Sequence, residues 1–127
     1  MRILLDTQLL IWAAADKLPP RAIPYVENKA NALLFSSASI WEIAIKSTLS
    51  RKDFLIDPAI LYHGLLRAGY KELPVTSRQA LLVRSLSKLH KDPFDRLLLA
   101  QAACEGITFI TADEALTQYS GSATYVG

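Results

Sequence analysis

The chain is short of several things, and each shortage excludes a class. One cysteine, Cys104, stands in 127 residues, so no internal disulfide can form and a reducing, cytoplasmic setting is expected. Cys104 sits in an apolar run and reads as a core residue. The only histidines are His63 and His90, and no Cys/His spacing of the zinc type is present. His63 falls among Leu61, Leu65 and Leu66, a packed or surface position, and His90 lies in a basic loop beside Lys91. Five glycines are present, without a glycine-rich phosphate loop. No apolar run approaches the length of a membrane-spanning helix. Asp6 interrupts the apolar start after Ile3-Leu4-Leu5, and the basic region before it is one residue long, which argues against an export signal. Charge of one sign is also scarce. A net charge of +2 excludes a highly basic nucleic-acid coat, although Lys46, Arg51, Lys52, Lys88, Lys91 and Arg96 can still form a basic rim.

Apolar residues are plentiful. They make up 51% of the chain, and mean hydropathy is +0.21. That surplus suits a parallel sheet buried on both faces, together with an apolar oligomer interface. The length predicts one domain, 1–127, with a core that needs no staple. Apolar runs alternate with helical patterns, which predicts an α/β fold with a mainly parallel sheet. Strands are expected at Ile3–Leu5, Leu33–Phe35, Glu72–Val75 and Ile107–Thr111, with a short edge strand at Thr124–Val126. Helices are expected over Gln8–Ala15 and Pro20–Asn31, and from near Ser39 to Thr48, where Ser39 and Glu42 have capping-box spacing. Asp57-Pro58 and Asp92-Pro93 open two more. Thr76 and Gln79 suit another capping box, followed by an apolar stripe of Leu82, Leu86 and Leu89. Gly106 is a natural left-handed end for the helix opened by Asp92.

In such a fold the carboxyl ends of strands and the amino ends of helices share a rim, where ligands bind. Four of the 12 acidic residues fall there. Asp6 follows the first strand, and Glu42 lies early in the helix after the second. Asp95 lies in the first turn of the helix leading to the fourth strand, and Asp113 just beyond that strand. Each has a folding explanation to weigh. Glu42 can close a capping box and pair with Lys46, Asp95 suits the helix dipole, and Asp113 can cap a turn through Ala115 and Leu116. Asp6 is the hardest to explain so, because an acid at the mouth of an apolar strand gains little structurally. Asp92 reads mainly as an N-cap. Four carboxylates in one crevice repel, and a hard divalent cation with a preference for oxygen removes that penalty. The inference is Mg2+ or Mn2+, which can activate a water and stabilise charge on a phosphodiester.

These residues bring a family into view. Leu4-Leu5-Asp6-Thr7, the run Ser37 to Lys46 containing Trp41-Glu42, His90-Lys91-Asp92-Pro93-Phe94-Asp95-Arg96-Leu97-Leu98 and Ile110-Thr111-Ala112-Asp113 resemble PIN-domain proteins. The likeness is to the VapC-like toxins of type II toxin–antitoxin modules, and the run from Asp92 to Leu98 is the most specific part. The resemblance implies a three-layer α/β/α domain with a parallel sheet of four to five strands and metal-dependent ribonuclease activity. It places Asp6, Glu42, Asp95 and Asp113 at acidic active-site positions, with Asp6 and Asp95 as the most direct metal ligands. Thr7 and Thr111 match supporting hydroxyl positions. It also implies a homodimer and a small cognate antitoxin whose C-terminal segment covers the active-site groove. Gln8 stands where many relatives carry a histidine. Leu116 and Thr117 occupy the stretch where some carry a further acid, so one ion or two remains open. Lys46 and Arg96 are candidates for contacting phosphate or neutralising the acids.

Two rival readings come from other classes. A receiver-type phosphoacceptor domain needs paired acids after the first strand and a late lysine, and a haloacid-dehalogenase-like phosphatase needs Asp-x-Asp there. Asp6-Thr7-Gln8 supplies neither. A catalytically silent PIN-fold binding module is the non-enzymatic alternative, which has no need to keep four repelling charges.

Overall fold

The computed structural model describes residues 1–49, 56–86, 92–118 and 123–127. Its order is β1 (Arg2–Leu5), α1 (Thr7–Ala14), α2 (Ile23–Glu27), β2 (Ala32–Ser36), α3 (Ser37–Thr48), α4 (Pro58–Arg67), β3 (Lys71–Leu73), α5 (Ser77–Leu82), α6 (Pro93–Glu105), β4 (Thr108–Thr111) and β5 (Ala123–Tyr125). The five strands form one sheet in the order β3-β2-β1-β4-β5, and every pairing is parallel. The register sets Leu4 against Leu34 on one side and Phe109 on the other.

Side chains alternate across a strand, so the apolar strands feed two cores. Ile3, Leu5, Phe35 and Ile110 face one way, against Leu9 and Leu10 of α1, Ile43 of α3, and Leu61 and Leu65 of α4. Leu4, Leu34 and Phe109 face the other way, against Leu98, Leu99 and Ala102 of α6. Helices on both faces of a parallel sheet are the three-layer arrangement that the apolar runs imply. Among the described residues no helix is long and apolar enough to cross a membrane.

Several ends fall as expected. Asp57 caps α4, Thr76 and Gln79 form a reciprocal capping box on α5, and Gly106 ends α6 with φ +65. Others differ for local reasons. The second helix is a single short stretch rather than Pro20–Asn31. Asn28 is extended and its side chain accepts from the Ala30 N–H, an Asx turn that competes with the helix. β3 stops at Leu73 because Pro74 has no N–H for the ladder, and the Val75 N–H donates to Ser37 Oγ instead. α3 is capped by Ser36, whose Oγ accepts from the Ala38 N–H, so Ser39 and Glu42 do not form a capping box. After α5 the chain tightens into a 3₁₀ turn, Val83–Ser85, and Leu86 is extended, so the expected stripe breaks there. Leu89, His90, Lys88, Lys91, Arg51 and Lys52 lie outside the described residues. Cys104 is half-buried rather than in the core, and His63 is exposed beside the Tyr62 ring.

The strand order reverses between β1 and β4: the chain runs outward to β2 and β3, then returns to the other side. Splayed connections at such a switch point leave a crevice beyond the carboxyl ends of the two central strands. Asp6 follows β1 there, and Asp113 follows β4.

Candidate active site

An open cavity of about 490 Å3 lies at this switch point, lined by Asp6, Thr7, Gln8, Ile11, Trp12, Glu42, Lys46, Asp92, Asp95, Ala112 and Asp113. The four acids singled out in the sequence line it together. Asp92 joins them, although its Oδ1 also caps α6 by accepting from the Phe94 and Asp95 N–H groups.

Asp6 is built into the fold more firmly than its sequence position suggests. It is the N-cap of α1, with Oδ1 accepting from the Leu9 N–H at 2.8 Å. Its Oδ2 accepts from the Thr111 hydroxyl at 2.6 Å and from the Ala112 N–H at 2.8 Å. The expectation that this acid gains little structurally is therefore corrected: its carboxylate ties α1 to the end of β4. Burial pushes its pKa above the ordinary 3.8, hydrogen bonds from Thr111, Leu9 and Ala112 pull back, and the nearby Asp113 charge raises it further.

Thr111 carries the arrangement on to Asp113, because its Oγ1 also accepts from the Asp113 N–H at 3.0 Å. Asp113 Oδ1 accepts from the Ala115 N–H, opening the 3₁₀ turn Glu114–Gln118 as the capping argument expects.

Thr7 is the second hub. Its Oγ1 lies 2.8 Å from Glu42 Oε1 and 2.9 Å from Ser39 Oγ. The carboxylate can only accept, so the single Thr7 proton goes to Glu42 and the Ser39 hydroxyl donates to Thr7. Glu42, nearly buried, also accepts from Lys46 Nζ through Oε2 at 2.9 Å. Ser39 was not among the expected site residues. Its signal was its i, i+3 spacing from Glu42, which puts both on one helix face. The Arg96 guanidinium donates to the Val83 and Leu86 carbonyls, and the residue is not among those lining the cavity.

The donors offered are carboxylate oxygens, and Asp6 is a buried acid with a like charge nearby. That chemistry fits a hard divalent cation. Among the described residues no three acids converge on one point; as they stand, they line the cavity wall.

A family model described as PIN domain matches residues 3–121. The chain belongs to the PIN-domain family. Members of that family are generally nucleases that use divalent metals. The PIN fold is also seen in the solved structures to which this chain is similar. A chain of VapBC2 from Rickettsia felis, bound to a promoter DNA fragment, aligns with TM-score 0.72 and 15% identity over 100% of both chains. A chain of DNA-bound VapBC from Salmonella typhimurium aligns with TM-score 0.69 and 16% identity, covering 98% of this chain and 96% of the other. VapBC-1 from nontypeable Haemophilus influenzae gives 0.68 and 18% over the same shares. No curated protein matches the chain.

Proposed function

We propose that this PIN domain is the toxin of a type II toxin–antitoxin pair and acts as an Mg2+- or Mn2+-dependent endoribonuclease on single-stranded or loop RNA. The observation that carries the reading is the gathering of Asp6, Glu42, Asp95 and Asp113 around one cavity at the switch point of the sheet. Asp6, Asp95 and Asp113 would hold the cation, their side chains turning in from the cavity wall to reach it. When bound, the cation lowers the pKa of a water and stabilises charge on the phosphodiester and its leaving oxygen. Glu42 orients or deprotonates the attacking water, and the Thr7 hydroxyl fixes the carboxylate for that task. Thr111 holds Asp6, and through the Asp113 N–H it sets the distance between these two acids. Lys46 neutralises Glu42 in the absence of substrate and is placed to contact phosphate.

Likeness to chains from VapBC assemblies, two of them bound to DNA, supports a cognate antitoxin as partner. The apolar surplus of the sequence supports a homodimer. The deciding experiment is cleavage of total cellular RNA by the purified chain, comparing wild type with Asp6→Asn in Mg2+, Mn2+ and chelator. Discrete fragments that need metal and vanish in the variant are expected. A folded, metal-supplied wild type that cuts nothing would move the protein to the binding-module reading. Growth arrest on expression, relieved by a protein encoded beside it, is the cellular counterpart.

A further inference from the structure

Two aromatic residues adjoin the acids in sequence, on different helices, just outside the lining of the acid cavity. Trp41 immediately precedes Glu42 in α3, and Phe94 immediately precedes Asp95 in α6. Their rings meet edge to face, with centroids 5.2 Å apart and planes 69° apart. Trp41 is 61% exposed. An indole placed for stability buries its area, because that area is its main contribution. Here most of the ring is left open, while the next two residues, Glu42 and Ile43, are buried. Successive helix residues point about 100° apart, so Trp41 stands to one side of the wall that Glu42 forms.

Two features beside the pair suit a phosphate backbone, set against the five acids that line the adjoining cavity. α3 presents its amino end, with the positive end of the helix dipole, at this rim, whereas α6 carries Asp92 as its cap and Asp95 in its first turn. α3 is capped by a neutral serine, Ser36, so its end is not neutralised by an acid. Lys46, 47% exposed although paired with Glu42, is the basic side chain among the residues lining the adjoining cavity. Single-stranded RNA is held by stacking its unpaired bases on aromatic rings while cations take the phosphates.

Building on the ribonuclease reading, we propose that Trp41, braced by Phe94, is the stacking platform for a base of the single-stranded RNA whose backbone enters the acid cavity. Trp41 is a positioning and specificity-determining residue: it holds one nucleotide so that the neighbouring phosphate lies at the acids. Stacking tolerates any base and requires an unpaired one, so the platform selects loops and single strands over duplex.

The test is binding of a short, labelled single-stranded RNA of mixed sequence, read by fluorescence anisotropy in chelator so that no cleavage intervenes. W41A should bind roughly five- to hundredfold more weakly, the range that loss of one stacked base gives. W41F should keep most of the affinity, and W41L, apolar but without a ring, should behave like W41A. RNA should quench indole emission in the wild type. Part of that quenching should be lost in W41F, where Trp12 is the remaining indole. Circular dichroism checks that each variant is folded, and the exposure of Trp41 makes W41F a safe companion if W41A is not. Equal RNA affinity for W41L and W41F, or for W41A and wild type, overturns the platform. A change in sedimentation mass in W41A with RNA affinity intact makes the face a protein contact and also overturns it. If wild type cuts RNA, Asp6→Asn does not and W41A binds normally, only the platform falls. If wild type neither cuts nor binds RNA, the ribonuclease reading falls and takes the platform with it.

Discussion

Thr7 shows how much of the site rests on one hydroxyl. It donates to Glu42 and accepts from Ser39, in a place where neither partner has ready access to water. Replacing a buried hydroxyl by a methyl leaves its partners short, at about 1–3 kcal/mol. Thr7→Val is therefore expected to lower unfolding free energy by that amount, read by urea denaturation in chelator. Thr7→Ser, which keeps the hydroxyl, should recover most of it. The valine variant should also lose cleavage, because Glu42 is then held by Lys46 alone among its observed partners. A Thr7→Val protein as stable and as active as wild type would show that the hydroxyl positions nothing. Asp6 and Thr7 were legible in the sequence as an acid and a supporting hydroxyl, but their structural work was not. The Thr111 and Ser39 partners lie 105 and 32 residues away in the chain. No local spacing records a contact of that range.

Helix ends place the acids, and α6 shows both ends of the device. At its start Asp92 caps the helix, and Pro93 follows at the first turn, which sets Asp95 on the cavity side. Asn caps as well as Asp does, whereas Ala costs about 1 kcal/mol. Asp92→Asn should therefore keep the wild-type urea midpoint, and Asp92→Ala should have a lower midpoint, its unfolding free energy reduced by about 1 kcal/mol. Equal midpoints for the two variants would mean that Asp92 is not holding the helix. At the other end Gly106 adopts φ +65 with open space where a Cβ would go. Gly106→Ala then meets only the left-handed backbone penalty, about 1–2 kcal/mol. Cleavage should be unchanged, since Gly106 lines a separate cavity; a loss of specific activity in the folded variant would contradict this placement of the site. Such ends were legible because Asp-Pro and Gly are local signals. The second helix and the Ser39–Glu42 box were misread for the opposite reason. There a competing local hydrogen bond won, the Asx turn at Asn28 and the Ser36 cap, each three residues from the expected position.

At the scale of the molecule the sequence pattern carried the layers and the shared rim, because wholly apolar strands between helices leave few topologies. It did not carry the strand order, since no local pattern says on which side of β1 the later strands return. That order matters because it brings the Asp6 and Asp113 ends of two central strands together, and the pairing has a thermodynamic consequence. Burial and the Asp113 charge hold the Asp6 proton more tightly in the folded chain than in the unfolded one, where 3.8 applies. The folded state then binds more protons between 3.8 and its own raised value, so stability falls as pH rises through that window. The effect is isolated by subtracting Asp6→Asn, which has no proton to release. In chelator, the unfolding free energy of wild type minus that of the variant should decline with rising pH and then level off above the folded pKa. A divalent cation that binds only the folded state reverses the sign, adding about 2.7 kcal/mol at a hundred times its Kd. Mg2+ at neutral pH should therefore raise the melting temperature of wild type and leave Asp6→Asn nearly unmoved. A flat difference in chelator would mean that Asp6 ionises as freely in the fold as outside it. An equal Mg2+ response in both proteins would place the cation away from Asp6, and with it the chemistry assigned to the switch-point cavity.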